Sequence, residues 1–237
     1  MEQKSDCGKR QTIKVVREFN SWYTVSIRIQ QRKGAQNMEE KRKPERLIVA
    51  SNNRNKLKEF DAILGHLYEI VSMRDAGVDA DIEEDGTTFE ENALIKANYV
   101  MNATGCAAIA DDSGLEVDAL GGAPGVYSAR YCGRHGDDEA NNDLLLTNLR
   151  DVPAPRTARY VAAIALVRPG KAPIVRRGTC DGEILFERRG QGGFGYDPLF
   201  QCETGETFAE VSMETKNAIS HRKRGIMAVL AALGEET

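Results

Sequence analysis

From Leu47 onward, two spacings of apolar residues alternate along this chain. One is the short unbroken run that fills a buried strand, the other a recurrence every three to four positions that marks a helix face. Leu47-Ile48-Val49-Ala50 is the first buried run, and Leu57, Phe60, Ile63 and Leu64 then recur at helical spacing. Thr88-Phe89-Glu90-Glu91 is a capping-box pattern that opens a helix through Phe89, Ala93, Leu94, Ala97, Val100 and Met101. Ala107-Ala108-Ile109-Ala110 reads as a short buried strand, with the acidic residues after Ala110 as a loop. Asp137 or Asp138 starts a helix through Leu144, Leu145 and Leu149. Arg159–Val167 and Ile174–Phe186 read as two long strands, and a single last helix is expected from Ala218 to Leu233. Strands alternating with helices predict an α/β fold. No internal repeat or low-complexity tract interrupts the pattern.

Composition narrows the class. With 237 residues, 41% apolar and 29% charged, the chain is long enough for one good core and no more than two lobes. Cys7, Cys106, Cys132, Cys180 and Cys202 form no CxxC pair and no Cys/His ligand spacing, which excludes a zinc site and a disulfide framework. A reducing, cytoplasmic compartment is expected. No apolar run approaches a membrane span, and the N-terminal region has no apolar signal-peptide core. The net charge of −4 is uneven: residues 1–37 hold eight Lys/Arg against three Asp/Glu, leaving −9 on the rest. An acidic body lacks the broad basic face that a nucleic-acid partner requires, and suits a cleft that holds a divalent cation. Residues 1–45 are expected to be a poorly ordered basic extension, with a docked strand at Val25–Ile29 or a binding tail as alternatives. Met38 lies just before the patterned region, and Lys33-Gly34-Ala35 is compatible with a purine-rich ribosome-binding sequence, so translation from an upstream start is a further hypothesis that the upstream DNA tests.

Polar patches carry the candidate chemistry. Ser51-Asn52-Asn53-Arg54-Asn55-Lys56 falls where a buried strand gives way to a helix, a place where free backbone N–H groups attract phosphate. Lys56 adds positive charge where the helix dipole already favours anions. The glycines and GK[ST] ending of a Walker loop are missing. Read alone, the patch is as well a polar loop with a solvated lysine. Glu83-Glu84 and Asp111-Asp112-Ser113-Gly114 place carboxylates on two expected loops, the set that magnesium takes together with phosphates and water. Read alone, these are a solvated charge run and an Asx turn before glycine. Gly121 to Tyr131 reads as a rigid turn shaping a cleft floor, with Arg130 an additional cation. In Gly192-Gly193-Phe194-Gly195-Tyr196-Asp197-Pro198, glycines flanking Phe194 let backbone approach a flat ligand while the ring stacks on it, a contact of roughly 1–3 kcal/mol per base. No amphipathic helix follows, so a dinucleotide fingerprint is excluded. Phe208-Ala209-Glu210 precedes a basic C-terminal cluster that includes Lys216, His221 and Arg222, while Lys223 and Arg224 read as a solvated helix face.

In this order the patches resemble the inosine/xanthosine triphosphate pyrophosphatase family, over about Arg46 to Leu233. Its opening pattern Ser/Thr-x-Asn-x-x-Lys-x-x-Glu is met by Ser51, Asn53, Lys56 and Glu59, with Asn52 where glycine is frequent. The resemblance implies a long, twisted mixed sheet with two lobes flanking a central cleft, assembled as a homodimer. It implies a Mg²⁺-dependent hydrolysis of dITP, ITP and XTP to the monophosphate and pyrophosphate, clearing them from the nucleotide pool, by the unit 46–237. By resemblance Ser51, Asn52, Asn53, Arg54, Asn55 and Lys56 hold the triphosphate, Glu84 and Asp112 bind Mg²⁺, and Asp112 is also the base. Ser113 touches substrate, and Lys96 orients the water or neutralises the α-phosphate. Phe194, Gly195, Tyr196 and Asp197 line the base and sugar pocket, which Lys216, His221 and Arg222 complete.

Donors such as Arg222, His221 or nearby backbone N–H groups pair with the 6-oxygen of hypoxanthine or xanthine and are left unpaired by adenine, a discrimination that reaches ~10⁴-fold in sites built this way. Two other readings are carried: a Maf-like pyrophosphatase acting on modified pyrimidine triphosphates, and a nucleotide-binding module without turnover. Ile219-Ser220-His221-Arg222 argues against the first and the paired carboxylates against the second.

Overall fold

The first buried run forms strand β1 (Glu45–Val49), and helix α1 (Arg54–Leu64) follows it directly, turning Phe60, Ile63 and Leu64 inward. β2 (Tyr68–Ser72), α2 (Phe89–Thr104) and β3 (Ala108–Val117) come next, then two short 3₁₀ segments, Asp118–Leu120 and Gly125–Arg130. The chain continues through α3 (Asp138–Asn148), β4 (Thr157–Val167), β5 (Ile174–Ile184), β6 (Phe200–Gln201), α4 (Met213–Ile219) and α5 (His221–Glu235). This is a computed structural model that describes residues 44–235. The expected basic extension therefore lies outside the described residues, save that Glu45 opens β1. No helix among the described residues is long and apolar enough to cross a membrane.

The sheet order is β2-β1-β3-β4-β5-β6, with β1 parallel to both neighbours and every later pair antiparallel. Alternation sends one face of β1, β3 and β4 (Ile48, Ala110, Ala163, Ala165) against α2. The other face (Leu47, Val49, Ile109, Ala162, Ile164) packs on α1 and α5. Past Gly114, β3 and β4 bury a second core, in which Leu115, Val117 and Tyr160 meet Leu145 of α3 and Leu149 just beyond it, together with Phe200 and Phe208. The mixed sheet thus runs through two lobes, as expected, and Asp111 to Gly114 occupy the stretch of β3 where one core gives way to the other.

Three expectations are corrected. The strand expected to stop at Ala110 continues to Val117 because β4 pairs with it over its full length, from Ala108 opposite Val167 to Val117 opposite Ala158. Asp111-Asp112-Ser113-Gly114 is therefore strand rather than loop. Gly114 is needed there, since an added Cβ would lie 2.4 Å from Ser128 Oγ and 2.5 Å from the Gly125 carbonyl. The single last helix is two, because Ser220 adopts an extended backbone (ψ 153), and its hydroxyl caps α5 by accepting the N–H of Lys223 at 3.2 Å. β2 was not expected: it is a five-residue edge strand, only partly buried.

Candidate active site

The period of two on β3 divides the acidic pair between two environments. Asp111 shares its face with Ile109 and meets α1 and α5, whereas Asp112 shares its face with Ala110 and meets α2.

On the α2 side, Lys96 and Asn92 lie one turn apart and both reach Asp112. Lys96 Nζ is 3.2 Å from Oδ1, and Asn92 Nδ2 donates to Oδ2 at 3.2 Å. Lys96 Nζ also lies 3.0 Å from Glu84 Oε2. One ammonium thus bridges two carboxylates from different segments. Burial pushes the Asp112 carboxyl above its ordinary value, with the Glu84 charge adding to it, against the pull of Lys96. Glu84 is held below its ordinary value, because Lys96 outweighs the cost of burial. Burial also works against the charge on Lys96, but Asp112 and Glu84 outweigh it and raise its pKa.

On the opposite side, Asp111 is clamped by Arg222, whose Nε and Nη2 donate to Oδ2 at 2.8 and 2.6 Å. Nη2 also reaches Ser113 Oγ at 3.1 Å, and Nη1 pairs with Glu59. Lys56 Nζ sits 3.2 Å from Asp111 Oδ2, at the mouth of the same network. Arg222, Glu59 and Asp111 are at most 3% exposed. Arg222, expected as a donor to the base, thus donates through Nε, Nη1 and Nη2 to Asp111, Glu59 and Ser113. Asp111 is held well below the carboxylate range: burial raises its pKa, but Arg222 and Lys56 more than offset this. Burial lowers the pKa of Lys56 despite Asp111.

The loop before α1 also differs from expectation. Asn53 Oδ1 accepts the N–H groups of Asn55 (2.9 Å) and Lys56 (3.2 Å), and Ser51 Oγ accepts that of Asn53 (3.1 Å). The helix start is thus self-capped, and these N–H groups are not free for a phosphate. Asn52 Oδ1 accepts from Arg74 N at 3.3 Å, while Asn53, Arg54 and Asn55 are exposed.

The predicted base pocket comes together around Asp197. Lys216 Nζ lies 2.5 Å from its Oδ2, Phe194 N donates to the same oxygen at 2.8 Å, and Tyr160 OH donates to Oδ1 at 3.1 Å. Lys216 Nζ stands 4.4 Å from the centroid of the Phe194 ring. His221 stacks on Tyr160 with ring centroids 4.8 Å apart, and its buried Nδ1 has no hydrogen-bond partner among the described residues. Burial, with Arg222 adding to it, drives the His221 pKa well below its ordinary value, so the ring is neutral. Lys216 also lies 3.8 Å from Glu59. A buried chain of ion pairs therefore joins Lys56, Asp111, Arg222, Glu59, Lys216 and Asp197, from the helix start to the Phe194 loop. Asn92 and Tyr160 went unnoticed in the sequence. Asn92 is findable as the residue one turn before Lys96, whereas Tyr160 enters only through the pairing of strands remote in sequence.

Fold and site define an α/β protein whose mixed sheet passes through two lobes and carries a carboxylate–lysine–carboxylate centre at their junction. The chain belongs to the Ham1 family, whose sequence profile matches residues 47–232. It is 52% identical over 192 residues to the dITP/XTP pyrophosphatase of Geobacter sulfurreducens, covering 80% of this chain and 96% of that protein. It is 49% identical over 191 residues to the dITP/XTP pyrophosphatase of Exiguobacterium sibiricum, covering 79% of this chain and 96% of that one. Among solved structures, the Ham1 protein of Staphylococcus aureus superposes with a TM-score of 0.73 at 41% identity, covering 81% of this chain and all (100%) of that one. The nucleoside-triphosphatase (dITP/XTP pyrophosphatase) of Mycobacterium abscessus does so with a TM-score of 0.65 at 47% identity, covering 78% of this chain and 98% of that one.

Proposed function

We propose that the unit spanning residues 46–237 is a hydrolase that cleaves non-canonical purine nucleoside triphosphates, of the dITP, ITP and XTP kind, to the monophosphate and pyrophosphate. The observation that carries this reading is the Glu84–Lys96–Asp112 centre on and beside β3, set against a chain whose relatives are dITP/XTP pyrophosphatases. Removing such nucleotides from the pool keeps them out of DNA and RNA.

The donor set fits a divalent ion. Glu84 and Asp112 already converge on one cation, the Lys96 ammonium, and magnesium commonly takes one or two protein carboxylates with phosphate and water completing the shell. Bound there, Mg²⁺ supplies charge neutralisation along the triphosphate and a lowered pKa for water. Asp112 accepts the proton of the water that attacks the α-phosphorus. The new bond joins water oxygen to that phosphorus, the bridge to the β-phosphate breaks, and pyrophosphate leaves. Lys96 orients the water or neutralises the α-phosphate. Lys56, with the polar Ser51–Asn55 loop, holds the triphosphate and the departing pyrophosphate, and Ser113 contacts substrate.

Phe194 stacks on the base, and Gly195, Tyr196 and Asp197 shape its pocket together with Lys216. Donors of His221, Arg222 or nearby backbone N–H groups pair with the 6-oxygen of the base. The enzyme is assigned to the cytoplasm as a homodimer. Pyrophosphate release with Mg²⁺ from ITP, XTP and dITP, against ATP and GTP, tests the whole reading. Fast release from the first three alone supports it, and no release from any of the five removes it.

A further inference from the structure

The loop that carries Phe194 is held from behind by a helix that the proposed chemistry does not otherwise use. Gly195 adopts a left-handed backbone, φ +62. Its N–H donates to Asp138 Oδ2 at 2.8 Å, and its carbonyl accepts from Asn142 Nδ2 at 2.9 Å. Asp138 and Asn142 stand one turn apart on α3, so both backbone polar groups of one residue are tied to one helix face. An added Cβ at Gly195 would meet nothing within 4 Å. Its left-handed φ draws on glycine's own freedom, and these two bonds hold it in place. Asn142 is 1% exposed, which places its amide in an environment where one orientation alone serves Gly195.

The adjoining residue closes a ring back to the catalytic strand. Tyr196 OH donates to the Ser128 carbonyl at 2.9 Å, and Ser128 Oγ accepts from Leu115 N at 2.9 Å, three residues along β3 from Asp112. α3 itself grips that same segment, since Asn141 Oδ1 accepts from Cys132 N at 2.8 Å. Consecutive asparagines on α3 therefore hold the base loop on one side and the segment packed against β3 on the other.

We propose that Asn142, assisted by Asp138, is a positioning residue for nucleobase recognition. By fixing the Gly195 backbone it sets the plane of the Phe194 ring and keeps the Phe194 N–H on Asp197, without touching the nucleotide. The proposal rests on reading Phe194 as the base-stacking ring. Loosening the loop weakens binding equally in ground and transition states, because the base lies away from the reacting phosphorus. KM then rises while kcat holds.

The test compares Asn142→Asp, which removes the donor at constant shape, with Asp138→Ala and the conservative Asp138→Asn, which keeps an acceptor. Three quantities are read: kcat and KM for ITP, Kd for inosine monophosphate by calorimetry, and Tm. Expected are about five- to tenfold rises in KM and in Kd for Asn142→Asp, a smaller rise for Asp138→Ala, restoration in Asp138→Asn, and kcat within about twofold throughout. A fall in Tm with KM and Kd unchanged overturns the proposal, as does a fall in kcat at constant KM. Asp138 is exposed, so its pair of variants decides the matter if Asn142→Asp does not fold. A wild-type protein that releases no pyrophosphate removes the proposed activity, while the calorimetric Kd still decides the role of Asn142. One that binds no inosine monophosphate removes both.

Discussion

Arg222 holds a single oxygen of Asp111 with two of its nitrogens, Nε at 2.8 Å and Nη2 at 2.6 Å, and its remaining nitrogen takes Glu59 on α1. The guanidinium therefore joins the last helix, the central strand and the first helix at one buried point. Carboxylates this deep stay ionised only with such a partner.

Removing that partner leaves buried Asp111 with Lys56 alone at 3.2 Å and buried Glu59 with Lys216 alone at 3.8 Å. Arg222→Met is expected to cost about 3–5 kcal/mol of folding stability, read as a lowered urea midpoint. A midpoint equal to wild type would show that the clamp contributes nothing.

Asp112→Asn keeps the shape of the side chain but removes its capacity to take a proton. Turnover should fall by about 10²–10⁴-fold, while nucleotide affinity stays within a few-fold. Single-turnover kinetics beside equilibrium binding separates the two, and undiminished turnover would end the role assigned to Asp112.

His221 makes stability depend on pH. Its folded pKa lies well below the ordinary 6.5, since burial and the Arg222 charge disfavour the imidazolium. Below pH 6.5 the unfolded chain therefore binds a proton that the folded one does not. The contribution is fully present above that pH and declines as pH falls, by up to about 1.4 kcal/mol per unit. His221→Gln should flatten the plot of urea midpoint against pH between about 6.5 and 5. An unchanged slope would show that His221 titrates normally.

Exhaustive chelation should abolish pyrophosphate release, and added Mg²⁺ should restore it. Glu84→Gln should raise the Mg²⁺ concentration needed for half-maximal rate about tenfold or more, since one of two protein carboxylates loses its charge. A chelated enzyme at full rate would remove the metal from the mechanism.

Much of the fold was legible because its signals are local. Thr88 announces a helix start by capping chemistry, and the helix through Leu145 begins where Asp137 predicts. The helix break at Ser220 was equally local, a capping serine between Ile219 and the basic run His221-Arg222-Lys223-Arg224. What the sequence could not display is pairing. Asp111 to Gly114 look like a loop by composition, and only β4 alongside them makes strand of them. For the same reason the residues of the site were visible as types, but the direction each faces was not. Arg222 was visible as a cation, but its ion pairs with Asp111 and Glu59, remote in sequence, were not.

The back-to-back placement of Asp111 and Asp112 has a consequence for how this chain tolerates change. The two carboxylates differ by one position, so a single-residue deletion or insertion in β3 upstream of Asp111 would exchange their faces. After a deletion, Asp112 would take the place of Asp111 at the Arg222 clamp, and Ser113 would take the place of Asp112 facing Lys96. A change of length thus moves both carboxylates at once, and viable variation in length is expected instead in the surface turns, such as the one from Arg168 to Pro173 between β4 and β5.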